Sequence, residues 1–311
     1  MIRKSTLLFT ILAVLLGIQT PAVCADNTAE SKKEETIDNI EKGNQMMIAF
    51  MERIKIGDLE GARKIANDMI SPAEKIKDTA TTEYKCFYSQ TEKEYYLLKN
   101  KGNTQKVEWV QEPIADGYYL LAVLDFQEKL YKDSLEHISN CIFWNPVRAP
   151  FYCERGFLYL YAGEEKDLVN AQVAYEKAIE LANNAEDMGA ALRGVANVMI
   201  AKGDIPVAVA AIVVSKEYDS EHPDSSEQLL HIKRNYPNID SDIGIREAKK
   251  TLKENNIQYE YSHSHVEVLL KMASELKMPE EKEKAIVLLE QARILEPKNV
   301  ELLNKLKAIQ K

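Results

Sequence analysis

His263 and His265, one residue apart, are the closest grouping of metal-binding side chains in a chain whose five histidines stand at 137, 222, 231, 263 and 265. A catalytic zinc takes three protein ligands and keeps a fourth position open, and neither an HExxH pattern nor a cysteine or carboxylate motif supplies a third ligand beside this pair. The two histidines are therefore expected as solvated residues ahead of a helix, with no metal assigned. Phosphate chemistry lacks its cradle, because the glycines stand singly and neither strand-GxGxxG-helix nor GxxxxGK occurs. No GxSxG elbow is present, and Cys141 and Cys153 suit helix packing better than a helix start beside a base. Glu164-Glu165 and Glu280-Glu281 fall in charged turns, whereas acid-base work needs a sheltered site that separates two pKa values. No catalytic residue and no cofactor is predicted, and the chain is expected to be non-enzymatic.

The elements that position these side chains should be helices. The 311 residues are 45% hydrophobic and 8% aromatic, with 12 Gly and 10 Pro set against 49 acidic and 40 basic residues. Such a charge density suits long solvated helix faces, and an all-α fold is predicted. A net charge of -9, with no basic block beyond pairs such as Lys249-Lys250, argues against nucleic acid as a partner. At the start, Arg3 and Lys4 precede an apolar run of twelve residues, Leu7 to Ile18, before Ala22-Val23-Cys24-Ala25. That run is shorter than the ~20 residues a relaxed helix needs to span a bilayer core, so residues 1–25 are predicted as a signal cleaved before Asp26. A retained anchor and a lipid-modified Cys24 are the alternatives. Export to a periplasmic or extracellular location is expected, with 26–34 as a mobile polar leader and no later segment able to span a membrane. Removal of Cys24 leaves Cys86, Cys141 and Cys153, so at least one thiol is unpaired in a monomer; Cys141 and Cys153 either form a bridge or act as small buried hydrophobes.

Between Asn145 and Leu181, Gly156, Tyr159, Gly163, Ala171, Tyr175 and Ala178 fall where two helices of a hairpin must interlock. Gly156 and Ala178 allow close approach, Tyr152 and Tyr159 fill the space between, and Gly163 ends the first helix where a positive φ is needed. On these residues the stretch resembles a tetratricopeptide repeat, a helix-turn-helix unit of about 34 residues. Its turn, Glu164 to Asn170, is longer than the family's. Tyr118, Leu121, Ala122, Ser134, Ile138 and Cys141 mark a related unit at 115–148, in which the second helix stops near Phe143 or Trp144 ahead of Pro146. Ala196, Gly203-Asp204, Ile205 and Ala208 mark one at 189–222, and Ala273, Leu276, Ala285, Leu289 and Ala292 one at 266–299. Gly57-Asp58-Leu59 with Ala62 and Ala66 signals a divergent unit within 35–114, and Leu302, Leu303, Leu306 and Ile309 give 300–311 the apolar face of a capping helix.

The resemblance implies a right-handed superhelical α-solenoid of such repeats with irregular connecting segments. One segment, 70–114, is expected as a helix plus an irregular link, with Ser89 and Glu92 spaced as a capping box at the helix start amid Tyr84, Phe87, Tyr88, Tyr95, Tyr96 and Trp109. The other, 223–265, holds helical runs at 229–234 and 243–254 and an alternation at Ile257 to Tyr261 too short for a strand, and is expected to divide the molecule into two arms. In this family the first helix of each unit lines a concave groove. Its ligand-facing positions here fall on Tyr119, Val123 and Phe126; on Cys153, Phe157 and Leu160 with Tyr161; and on Arg193, Asn197 and Ile200. The implied groove is apolar and aromatic with one polar end, where the Arg193 fork and the Asn197 amide could hold a carboxylate or a peptide backbone unless Arg193 pairs with Asp187. The expected function is a non-catalytic exported adaptor or scaffold for a peptide, protein or envelope component. The alternatives are an enzyme or accessory factor with its site in 70–114 or 223–265, and a self-associating structural envelope protein.

Overall fold

The computed structural model describes residues 30–161, 167–278 and 281–310. Among them are fourteen α-helices, one 3-10 turn and two short strands: α1 Glu30–Lys55, α2 Leu59–Ile70, the turn Ser71–Lys75, β1 Thr82–Lys85, α3 Gln90–Lys99, β2 Lys106–Trp109, α4 Ile114–Gln127 and α5 Tyr131–Trp144. The remainder are α6 Ala149–Tyr161, α7 Leu168–Leu181, α8 Ala185–Lys202, α9 Ile205–Tyr218, α10 Pro223–Asn235, α11 Ile245–Glu254, α12 His263–Glu275, α13 Lys282–Leu295 and α14 Val300–Gln310. The chain is mostly helical. The signal at 1–25 and Gly163 lie outside the described residues, as do 26–29 of the leader, whereas 30–34 belong to α1.

One turn chemistry recurs between paired helices. Gly57 (φ 76°), Lys129 (φ 64°) and Gly203 (φ 82°) each sit in the left-handed region just past a helix. The next residue's amide then reaches back to a carbonyl five residues earlier: Asp58 to Arg53 at 2.9 Å, Leu130 to Asp125 at 2.8 Å, Asp204 to Met199 at 2.9 Å. These bonds satisfy carbonyls that the helix end would orphan. Asp58 and Asp204 also start the following helix by accepting from Gly61 and Val207. Asp167 caps α7 in the same way, so 168–170 are helical and shorten the predicted long turn at its C-terminal side.

Consecutive helices pack as hairpins: α1 with α2, α4 with α5, α6 with α7, α8 with α9 and α12 with α13. Tyr175 of α7 fixes one junction, its ring wedged between two glycines. A Cβ on Gly156 of α6 would lie 2.8 Å from that ring and one on Gly194 of α8 only 2.0 Å away. Around it Leu192, Val195, Ile212 and Val214 are removed from water, each burial worth roughly 1.5–3 kcal/mol. Further along, Arg63 of α2 and His137 of α5 both reach Asp125 of α4, at 2.8 and 2.6 Å.

The structure departs from the sequence expectation in both connecting segments. Residues 82–109 form a strand-helix-strand unit: the helix after Ser89 is there as α3, but β1 and β2, paired in parallel with Thr82 opposite Lys106 and Lys85 opposite Trp109, replace the irregular link. A parallel pair needs a crossover of this kind, here supplied by α3. The inward residues of β1 are charged: Glu83 accepts from Tyr96 Oη at 2.9 Å and from Asn103 at 2.6 Å, and Lys85 lies 4.3 Å over the Phe143 ring. The segment 223–265 does not act as a divider either. Its helices α10 and α11 both pack on α9, and Ile232, Ala248, Leu252 and Ile257 enter the same core as α6 to α9. After it the chain turns back, and α12 docks on α3, with Lys271 Nζ 2.7 Å from Glu94 and the His265 ring stacked on Tyr95 at 4.1 Å.

Candidate functional site

The facing sides of α4 and α6, with α5 behind them, border a shallow cleft lined by Tyr119, Ala122, Val123, Phe126, Ser134, Ile138, Glu154, Phe157 and Leu158. Four of the residues expected to face a ligand therefore converge: Tyr119, Val123, Phe126 and Phe157. Tyr119 and Val123 are buried in its floor, while Phe126 and Phe157 are half-buried at its sides, their rings edge to face with centroids 5.3 Å apart. Tyr161 extends this aromatic surface by one turn, 4.8 Å from Phe157. Ser134 donates to the Ala122 carbonyl at 2.8 Å and holds α5 against α4, leaving the neighbouring turns of α4 for α6.

Leu160, Arg193 and Asn197 are placed otherwise. Leu160 is 1% exposed and belongs to the core with α7 and α8. Arg193, also buried, donates to Asp219 at 3.1 Å and not to Asp187. Asn197 accepts from Gln228 of α10 at 2.8 Å, and the same Gln228 amide donates to the Arg193 carbonyl at 3.0 Å. The clamp expected of Arg193 and Asn197 is thus filled by Asp219 at the end of α9 and by Gln228 of α10. Cys153, counted with the groove at 153–161, is half-buried with an unbridged thiol, and Cys86 and Cys141 are unbridged and buried. Burial raises all three thiol pKa values, Cys86 to about 12, so none is an activated nucleophile.

Glu154 is the functional group the sequence search passed over. Half-buried on α6 one turn before Phe157, it faces the cleft, and the Tyr119 hydroxyl donates to its Oε1 at 3.4 Å. Burial lifts its carboxyl to about 7, against the smaller opposite pull of the Tyr119 bond. No ion pair reaches it among the described residues. A carboxylate beside aromatics on a first helix was visible at 153–161, but only the geometry of α4 shows that they share a pocket.

Beside the cleft lies a satisfied polar network that braces the starts of α3, α4 and α6. Ser89 and Glu92 form the expected capping box in part: Ser89 accepts from the Glu92 amide, while the Glu92 carboxylate takes the amide of Tyr88 at 2.8 Å. Glu92 also accepts from Asn145 at 2.9 Å and Arg148 at 3.3 Å. Arg148 lies 3.9 Å over the Tyr88 ring, and Tyr88 Oη donates to Asp116. Burial opposes the Arg148 charge, yet Tyr88, Glu92, Asp187 and Asp116 around it push its pKa up. Burial raises Asp116 and Asp187. These groups are mutually compensated, which suits a brace better than a reacting centre.

The histidine pair diverges instead of converging on an ion. His263 is exposed and 2.6 Å from Glu296, which raises its pKa, whereas His265 is buried against Tyr95 and depressed to about 4 by burial. No protein-family model and no curated protein matches this chain, so its cleft, caps and packing are the features from which a function must be argued.

Proposed function

We propose that the chain is a non-catalytic, exported scaffold of tetratricopeptide-like helical hairpins that holds a peptide or a protein segment in the cleft between α4 and α6. The observation that carries this is the convergence of Tyr119, Val123, Phe126 and Phe157 on one shallow opening, with Tyr161 continuing its wall. The opening is shallow, so a ligand would lie across it rather than enter it. Rigid aromatic walls give such contacts large area at low entropic cost. Export rests on the signal read at 1–25, and repetition of the hairpins on the turns at Gly57, Lys129 and Gly203.

A random peptide library panned on the folded protein tests this. Enriched peptides should compete with one another and lose about tenfold or more in affinity on Phe157→Ala, the scale expected for truncating an aromatic anchor. Peptides that bind Phe157→Ala unchanged would remove the cleft from the function.

A further inference from the structure

We propose that β2 pairs with β2 of a second copy of this chain, antiparallel about a two-fold axis at Val107, joining two two-stranded sheets into one of four strands. The sheet has two edges, and the chain closes only one of them. On β1 the Thr82 and Tyr84 amides, which point away from β2, donate to Thr79 Oγ1 at 3.0 Å and to Asp78 Oδ1 at 2.8 Å. Just beyond, the Cys86 amide donates to the Trp144 carbonyl at 2.7 Å. On β2 the Lys106 and Val110 amides bond to the Thr81 and Lys85 carbonyls on the β1 side. Strand alternation therefore turns the Val107 and Trp109 amides outward, where among the described residues neither finds an acceptor and no third strand lies. An edge left open in this way is a template for another strand.

The side chains specify which strand. Val107 and Trp109 pack inward, Trp109 edge to face with Phe87 at 6.2 Å, so the strand is held with its edge out. Lys106 and Glu108 share the outer face as an ion pair, their side chains 72% and 43% exposed. Edge charges of one sign would repel a second copy, whereas a lysine and a glutamate two residues apart are self-complementary. With Val107 opposite Val107 of the second copy, the two residues exchange two backbone hydrogen bonds at the axis. Lys106 then stands opposite Glu108 of the second copy, and Glu108 opposite its Lys106, so each lysine lies between two glutamates. An axis at Glu108 would instead set two glutamates against each other, and one at Trp109 would set Glu108 against Val110. Charge thus selects the Val107 register. With four residues on each side the contact is short, which makes it a reversible dimer with a Kd of roughly 10–100 µM.

Sedimentation velocity from about 5 to 500 µM should show monomer giving way to dimer. Lys106→Glu and Glu108→Lys, each alone, oppose like charges twice and should weaken the dimer about tenfold or more. An equimolar mixture of the two variants should restore it, because every opposed pair is again a lysine and a glutamate. Val107→Pro removes the outward amide at the axis and no bond to β1, so it should be monomeric while melting near the wild-type temperature. Should that variant fail to fold, the mixing experiment decides alone. Wild type that stays monomeric throughout overturns the pairing and leaves Lys106 and Glu108 as guards of the edge. A dimer that survives both charge variants, or a mixture that associates no better than its components, places the contact elsewhere and overturns it equally.

Discussion

Glu154→Gln should make the protein more stable, and increasingly so as pH rises. The wild-type carboxyl has a folded pKa raised from 4.5 to about 7, so the folded state keeps a proton that the unfolded chain has released. With more protons bound in the folded state, stability falls as pH climbs through that window, fully present below about 4.5 and lost by about 7. Two and a half pKa units at about 1.36 kcal/mol each give an upper value of about 3 kcal/mol. Solvent reaching a half-buried carboxyl lowers this to about 2 kcal/mol. Glutamine has the same shape, accepts the same Tyr119 hydroxyl and never ionises. The gap between variant and wild type should therefore be under about 1 kcal/mol at pH 4.5 and about 2 kcal/mol at pH 8, a rise in Tm of roughly 4–8 °C. Urea unfolding followed by circular dichroism at half-unit pH steps measures it, and the difference between the two proteins cancels the titration of Asp116 and Asp187. A gap of constant size across pH, or a variant less stable at pH 8, would refute the desolvated carboxyl.

Gly194→Ala should destabilise by about 1–3 kcal/mol, more than Gly156→Ala, because its new Cβ would sit 2.0 Å from the Tyr175 ring against 2.8 Å; thermal melts of the two variants give the order. His265 should act with the opposite pH sign to Glu154: its folded pKa lies at about 4, below the usual 6.5, so its contribution is present above about 6.5 and fades as pH falls towards 4. His265→Leu should flatten the stability profile over that interval. Lys271→Ala should change stability by less than about 1 kcal/mol, since its pair with Glu94 is exposed on the lysine side, and unfolding titrations check this. Ellman titration at pH 8 should find Cys86, Cys141 and Cys153 slow in the native protein and all reactive in urea.

The helical hairpins were legible because their signals are local. Gly57-Asp58 and Gly203-Asp204 show a left-handed residue followed by a cap, and Pro146 marks where α5 must end. Lys129 makes the same turn with no glycine to announce it. The strands were not legible, since period-2 patterning presumes apolar residues inward, and β1 turns Glu83 and Lys85 inward instead, paired with each other, with Lys85 also on Asp78 and Glu83 accepting from Tyr96 and Asn103. The candidate site was half legible. Helical spacing put Phe157 and Leu160 on one helix, but whether each meets α4 or α7 depends on how α6 is rotated between them. Arg193 and Asn197 appeared available because their partners, Asp219 at the end of the helix pair α8–α9 and Gln228 of α10, lie 26 and 31 residues further along the chain.

The stacking of His265 on Tyr95 and the Lys271–Glu94 pair bind segments about 177 residues apart in sequence. Such a clasp sets the timing of assembly. Tyr95 comes early in the chain, yet the side chain that covers it comes only after α4 to α11, so α3 keeps an uncovered aromatic face until α12 is available. Hairpins from α4 to α9 can form as they emerge, each on its predecessor. The final closure is a long-range event, and a chain interrupted before residue 263 would keep its α4–α6 cleft while leaving α3 without the helix that covers Tyr95.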